Sequence, residues 1–136
     1  MRFLKRLVLA VSGALLLTTG LGVSPASAAP DSTCGSIGLY GKMAGRGCFY
    51  HSGDIITVED TLADGLRVVV DWSTDYGRDG TCQNAYGAND RVVTCNYDMK
   101  ESGVVNFLVC LRDGANGPFI GCNSRIYVDI GTGKRL

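Results

Sequence analysis

The sequence predicts an all-β protein, specifically a small two-layer antiparallel β-sandwich, immunoglobulin-like in general form, with three disulfides. Three observations lead to this prediction: apolar and polar residues alternate in short runs, turn signals separate the runs, and the chain has six cysteines. Such alternation places every second side chain on one face of a strand. After residue 30 no stretch of helical length shows the apolar period of a helix.

The first 28 residues have the pattern of a secretory signal peptide. Basic residues lie within Met1–Arg6, an apolar run follows, and the small residues Ala26–Ala28 mark a cleavage site. A membrane anchor would need about 20 apolar residues between polar flanks, whereas this run ends in small residues. We therefore expect a single secreted, extracellular β domain at 29–136, with no membrane span after signal removal.

The charge of the mature chain argues against nucleic-acid binding. The full sequence has 13 basic and 13 acidic residues, and removal of Arg2, Lys5 and Arg6 with the signal leaves a net charge near −3. Proteins that bind nucleic acids or anionic membranes present basic surfaces that displace counterions. We therefore expect no nucleic-acid partner.

All six cysteines follow the predicted signal peptide, and their even number in a short exported chain indicates three disulfides. Sequence alone leaves every connectivity open. We predict sequential pairing, because each pair would then close a loop of roughly a dozen residues between neighbouring strands and stabilise the fold by about 3 kcal/mol. The predicted pairs are Cys34 with Cys48, Cys82 with Cys95, and Cys110 with Cys122.

The clearest predicted strand covers residues 66–73, where Leu66, Val68, Val70 and Trp72 share one face. Turn signals separate it from its neighbours, and the Ala-Asp-Gly sequence before it is expected to form a hairpin with the preceding strand. We expect the tail after the last strand to be frayed. The other predicted strands cover residues 54–60, 91–97, 104–112 and 125–130, with the 91–97 and 104–112 strands expected to form a pair.

His51 is the single histidine of the sequence and a candidate for general acid–base chemistry. A Ser-His-Asp or Cys-His site would have to use it, yet the chain has no G-x-S-x-G elbow and no cysteine is expected to be free. We therefore predict no catalytic residue. A small hydrolase that uses His51 and a carboxylate is the alternative.

Asp71, Asp75 and Asp79 recur at four-residue spacing and are candidate metal ligands. Two of these carboxylates and backbone carbonyls could hold Ca²⁺, which prefers oxygen ligands. The spacing does not match an EF-hand, and the alternative is that these aspartates cap turns. We expect no cofactor.

Trp72, Tyr76 and Tyr86 are candidate ligand-binding residues. Aromatic rings provide a large contact area at low entropic cost, so they can stack on sugars or anchor a protein partner. The alternative places Trp72 in the core. The expected partner is an extracellular polysaccharide, a cell-wall component or a secreted protein.

Three short motifs occur in order along the chain: ADG at 63–65, TCQN at 81–84 and CNYDMKES at 95–102. In this respect the sequence resembles a group of small secreted proteins of filamentous actinobacteria. The resemblance implies an exported all-β domain in which these motifs form turns, disulfides and strand ends. It implies no active site.

Together these observations favour a non-catalytic extracellular binding or interaction protein of unknown ligand. The first alternative is a secreted inhibitor of an extracellular hydrolase, whose loop at 74–81 would occupy the enzyme's cleft. The second alternative is the small hydrolase that uses His51.

Overall fold

A computed structural model describes residues 31–89 and 91–136, so the predicted signal peptide at 1–28 lies outside the described residues. The described residues form nine strands and no helix. Accordingly, no helix of that part of the chain could cross a membrane. The strands are β1 Ser32–Leu39, β2 Lys42–Tyr50, β3 Ile55–Asp60, β4 Arg67–Thr74, β5 Asp79–Asn84, β6 Val92–Asn96, β7 Val104–Arg112, β8 Phe119–Cys122 and β9 Ile126–Asp129.

The strands form two antiparallel sheets that pack face to face. The first sheet has the order β1-β2-β3-β6, and the second has the order β5-β4-β7-β8, with β9 also paired to β7. The predicted two-layer all-β sandwich with three disulfides is therefore confirmed. Its immunoglobulin-like form stays a prediction.

Strand β4 shows how the alternating pattern builds the core. Val68, Val70 and Trp72 point into the core, as the sequence predicts. Val69 points outward yet is also fully buried, because it lies between its register partners Gln83 and Cys110 in the middle of the second sheet. Burying a side chain of this size stabilises the fold by about 1.5–3 kcal/mol.

Glycines on the inner face of β1 and β2 let the two sheets approach closely. A Cβ atom at Gly47 would lie 2.3 Å from Val70 Cγ2, and one at Gly35 would lie 2.5 Å from Ile126 Cδ1. Carbon atoms in contact normally lie about 3.5–4.0 Å apart. A larger residue at either position would therefore have to displace the opposite sheet.

Two predicted strand pairings are wrong. The 54–60 and 66–73 runs do not form a hairpin, because β3 belongs to the first sheet and β4 to the second. The same is true of β6 and β7, which were also expected to pair. Alternation identifies a strand but not its sheet, and a connection of roughly six residues is long enough to cross the distance of about 10 Å between sheets.

The C-terminal tail is not frayed, contrary to the prediction. It folds back along β9, where the Leu136 N–H donates to the Tyr127 carbonyl oxygen at 2.9 Å. The Thr33 hydroxyl donates to the Gly133 carbonyl oxygen at 2.9 Å and ties the tail to β1. These hydrogen bonds explain why a short glycine-containing tail is held in place.

The three disulfides pair sequentially, as predicted. Cys34–Cys48 and Cys110–Cys122 join direct register partners within a sheet. Cys82–Cys95 differs, because it links β5 at the edge of the second sheet to β6 at the edge of the first.

The strand register shows which connections share an end of the sandwich. Asp60 at the end of β3 pairs with Gly45 near the start of β2, and Arg67 at the start of β4 pairs with Arg112 at the end of β7. The β1–β2, β3–β4, β5–β6 and β7–β8 connections therefore share one end, which we call the cleft end. The opposite end carries the start of β1 and the β2–β3, β4–β5 and β6–β7 connections.

Candidate functional site

A cleft of about 270 Å³ lies at the cleft end, between the β3–β4 and β5–β6 connections. Its lining combines different chemistries: the carboxyl-bearing Asp60, the cationic Arg67, the aromatic Tyr86 and the apolar Leu62 and Leu66. A concave surface with apolar walls and a few polar groups is the usual form of a small-ligand site. We therefore take this cleft as the candidate binding site.

Two Asx turns shape the β3–β4 wall of the cleft. Asp60 Oδ1 accepts the Leu62 N–H at 3.2 Å, and Asp64 Oδ1 accepts the Leu66 N–H at 2.8 Å. Gly65 follows with φ of 79°, a conformation that glycine adopts without strain. The ADG motif is thus a turn that fixes the backbone beside the cleft.

Asn84 positions the opposite wall, a role that its sequence pattern did not reveal. This fully buried side chain donates from Nδ2 to the carbonyl oxygens of Val58 at 3.3 Å and Arg91 at 2.7 Å. Its Oδ1 accepts the Tyr86 N–H at 3.0 Å. Asn84 therefore ties β3, β5 and the β5–β6 connection together and fixes the backbone of Tyr86. Its place in the TCQN motif was the one available signal.

Asp60 contributes a buried carboxyl group to the wall of the cleft. It is 3% exposed, and its Oδ2 is buried without a hydrogen-bond partner among the described residues. Burial raises the pKa of Asp60, the Leu62 N–H lowers it, and the charge of Asp64 raises it, with a net upward shift from the ordinary value of 3.8. Buried polar atoms normally have partners, so an unpaired carboxyl oxygen beside a cleft needs an explanation.

The raised pKa predicts that Asp60 lowers stability at neutral pH. Because its folded-state pKa exceeds the unfolded value of 3.8, its stabilising contribution is complete below that pH and is lost as pH rises through the folded-state pKa. Asp60→Asn removes this titration. We expect the melting temperature of the wild type, relative to Asp60→Asn, to fall as pH rises above 3.8 in thermal unfolding followed by circular dichroism. If the melting temperatures of the two proteins changed in parallel with pH, the raised pKa of Asp60 would be contradicted.

The structure does not bring the three aromatic candidates together. Trp72 is 3% exposed and packs in the core, with its ring centroid 4.6 Å from that of Tyr97. Tyr76 lies in the β4–β5 turn at the opposite end, where its hydroxyl accepts the Lys100 N–H at 3.0 Å. Tyr86 alone of the three lines the cleft, and it is 56% exposed. The guanidinium carbon of Arg91 lies 4.4 Å from the centroid of the Tyr86 ring.

The structure does not bring the three aspartate candidates together as one set of ligands. Within the described ranges, no group of three or more His, Cys, Asp or Glu side chains is placed to hold a metal ion. Asp75 instead accepts the Val104 N–H at 3.0 Å and so links the β4–β5 turn to β7. Asp71 and Asp79 lie in β4 and β5, opposite Thr81 and Ser73 respectively.

His51 lies at the end opposite the cleft, directly after β2. Its ring packs against the C-terminal tail, so that a Cβ atom at Gly133 would lie 2.6 Å from His51 Cδ2. All six cysteines are in disulfides, which leaves no thiol to act with it.

By its structure the protein belongs to the class of disulfide-bonded β-sandwiches, with a cleft at one end. The three disulfides indicate an oxidising compartment. The chain matches no protein-family model, no curated protein and no solved structure.

Proposed function

We propose that the protein is a secreted, non-catalytic binding protein that takes one small group of an extracellular ligand into the cleft. The observation that carries this proposal is the combination of a buried carboxyl group lacking a partner among the described residues with aromatic and apolar walls in a concave site. The ligand belongs to an extracellular polysaccharide, a cell-wall component or a secreted protein.

The size of the cleft supports recognition of a single group. Small-molecule sites usually measure about 300–1,000 Å³, and the cleft has about 270 Å³. That volume suits one sugar ring or one amino-acid side chain. The rest of a polymeric ligand would lie outside the cleft, across the cleft end of the sandwich.

The walls of the cleft are preorganised, which reduces the entropic cost of binding. Two Asx turns fix one wall, and the three hydrogen bonds of Asn84 fix the other. The Cys82–Cys95 disulfide joins the two strands that flank the second wall. A rigid frame of this kind suits recognition rather than large conformational change.

The two alternative functions find less support in the geometry. The 74–81 segment contains a short turn rather than a long loop, because the Thr74 N–H donates to the Arg78 carbonyl oxygen at 2.8 Å. Asp75 and Tyr76 in that turn hydrogen-bond to the protein's own backbone. A hydrolase that uses His51 would have its histidine at the opposite end from the cleft.

Replacing Tyr86 by alanine is expected to weaken binding roughly tenfold, because the cleft loses its aromatic wall. The measurement is retention of the purified protein on an insoluble cell-wall preparation and on immobilised secreted proteins from the producing cells. Tyr127→Ala is the matched control, since Tyr127 is 47% exposed but lies on β9, away from the cleft. Equal retention of the two variants, or no retention of the wild type, would refute the proposed function.

A further inference from the structure

We infer that the group bound in the cleft carries a protonated amine, whose N–H groups donate to the carboxylate of Asp60. This inference rests on the proposed binding function of the cleft and specifies the chemistry of the ligand. It also gives a reason for the unpaired oxygen of Asp60, which the fold itself does not explain.

The first argument is the environment of Asp60. Removing a carboxylate from water costs several kcal/mol unless a cation or several hydrogen bonds compensate. Among the described residues, Asp60 receives the Leu62 N–H on Oδ1, whereas its Oδ2 is buried without a partner. A bound cation would supply the missing interaction.

Asp64 strengthens the argument for a positive charge. Its Oδ2 is also buried and lacks a partner within residues 31–89 and 91–136. The charge of Asp64 raises the pKa of Asp60, so the two carboxyl groups repel each other when both are ionised. A neutral hydroxyl could donate a hydrogen bond, but only a cation would also relieve this repulsion.

The lining favours an organic ammonium group over a metal ion. Ca²⁺ takes about six to eight oxygen ligands, and the described residues offer no third acidic, histidine or cysteine side chain at this place. An ammonium group has three donors, and the carbon atoms that carry it fit the apolar surface of Leu62 and Leu66. The ring of Tyr86 can also attract a cation, as its contact with Arg91 demonstrates.

The cationic residues near the cleft limit the charge of the ligand. Arg67 lines the cleft, and the Arg91 guanidinium lies 4.4 Å from the centroid of the Tyr86 ring. Their guanidinium groups would repel a second positive charge on the ligand. A ligand with one positive charge therefore fits better than a polyamine. An amino sugar or the side chain of a lysine would each present such a group.

Two pairs of compounds of matched shape test the inference: glucosamine with glucose, and n-butylammonium with 1-butanol. Each is titrated into the ¹⁵N-labelled protein, purified from culture medium, while amide chemical shifts are recorded. We expect at least one amine to shift the signals of Leu62, Leu66 and Tyr86, and its neutral counterpart to leave them unchanged. A response to glucosamine alone indicates an amino sugar, and a response to n-butylammonium alone indicates a side-chain amine.

Asp60→Asn is expected to weaken binding of the amine at least about tenfold, because it removes the charge and keeps the shape. Asp54→Asn is the matched control, since Asp54 is also buried and has an unpartnered oxygen in the described structure, but lies at the opposite end. It should keep the wild-type affinity. If Asp60→Asn does not fold, Asp64→Asn replaces it and should also weaken binding.

Four outcomes would overturn the inference. Binding of the neutral compounds as tightly as the amines, or full affinity of Asp60→Asn, would leave the cleft a binding site that does not select by charge. A shift of the same signals by calcium chloride, with displacement of the amine, would make the site a metal site. If none of the compounds binds but Tyr86→Ala still loses retention on cell walls or secreted proteins, the inference fails and the proposed function stands.

Discussion

Replacing Gly47 by alanine is expected to lower the free energy of unfolding by about 3 kcal/mol. The new Cβ atom would lie 2.3 Å from Val70 Cγ2 and 3.1 Å from Val109 Cγ2. Both valines are buried in the opposite sheet, so neither can move without disturbing its neighbours. We expect the melting temperature to fall by about 15 °C in thermal unfolding followed by circular dichroism.

Gly121→Ala is the matched control for this prediction. Gly121 also lies in a strand, β8, but a Cβ atom there would meet nothing within 4 Å. Its effect should stay below about 1 kcal/mol. Combining Gly47→Ala with Val70→Ala should recover about 1–3 kcal/mol relative to the sum of the single effects, because the second change makes room for the first. Strictly additive effects would show that the sheets do not meet at this position.

Removing the Cys82–Cys95 disulfide by substituting alanine for both cysteines is expected to cost about 3–5 kcal/mol. The bond links β5 in one sheet to β6 in the other, and Cys82 is almost fully buried. Without it, the disulfide cross-link between the two sheets would be lost. We expect faster amide hydrogen exchange in β5 and β6, together with a lower urea midpoint.

The Cys34–Cys48 disulfide provides the comparison. Its sequence separation of 14 residues is close to the 13 of Cys82–Cys95, so the two bonds restrict the unfolded chain to a similar extent. Cys34 and Cys48, however, are register partners in strands that hydrogen bonds already hold together. Removal of the Cys34–Cys48 disulfide should leave amide hydrogen exchange in β5 and β6 unchanged. Equal exchange profiles for the two variants would disprove a special role for the link between sheets.

Strands that follow a strict alternating pattern could be predicted from the sequence, whereas glycine-rich strands could not. Strands β4, β7 and β9 alternate clearly, because their inner residues fill the core. Strands β1 and β2 were missed, since glycine occupies inner positions such as Gly35 and Gly47 where an apolar residue would otherwise mark the period. Close packing of the sheets thus removed the signal that would have revealed these strands.

The candidate site was only partly predictable. Tyr86 was a candidate because it is an aromatic residue in a loop, and it does line the cleft. Three other residues of the site were not candidates: Asp60, Asp64 and Asn84. Their importance depends on burial and on contacts between segments that are distant in sequence. Trp72 drew attention for its type, but its position on the inner face of β4 places it in the core.

The direction in which β1 enters the sandwich has a practical consequence for any sensor made from this protein. Ser32 pairs with Tyr50 at the far end from the cleft, so a tether joined ahead of Ser32 would leave the cleft turned toward the sample. Lys42 instead begins β2 at the cleft end. Amine-reactive coupling through Lys42 would turn the cleft toward the solid support and hinder capture.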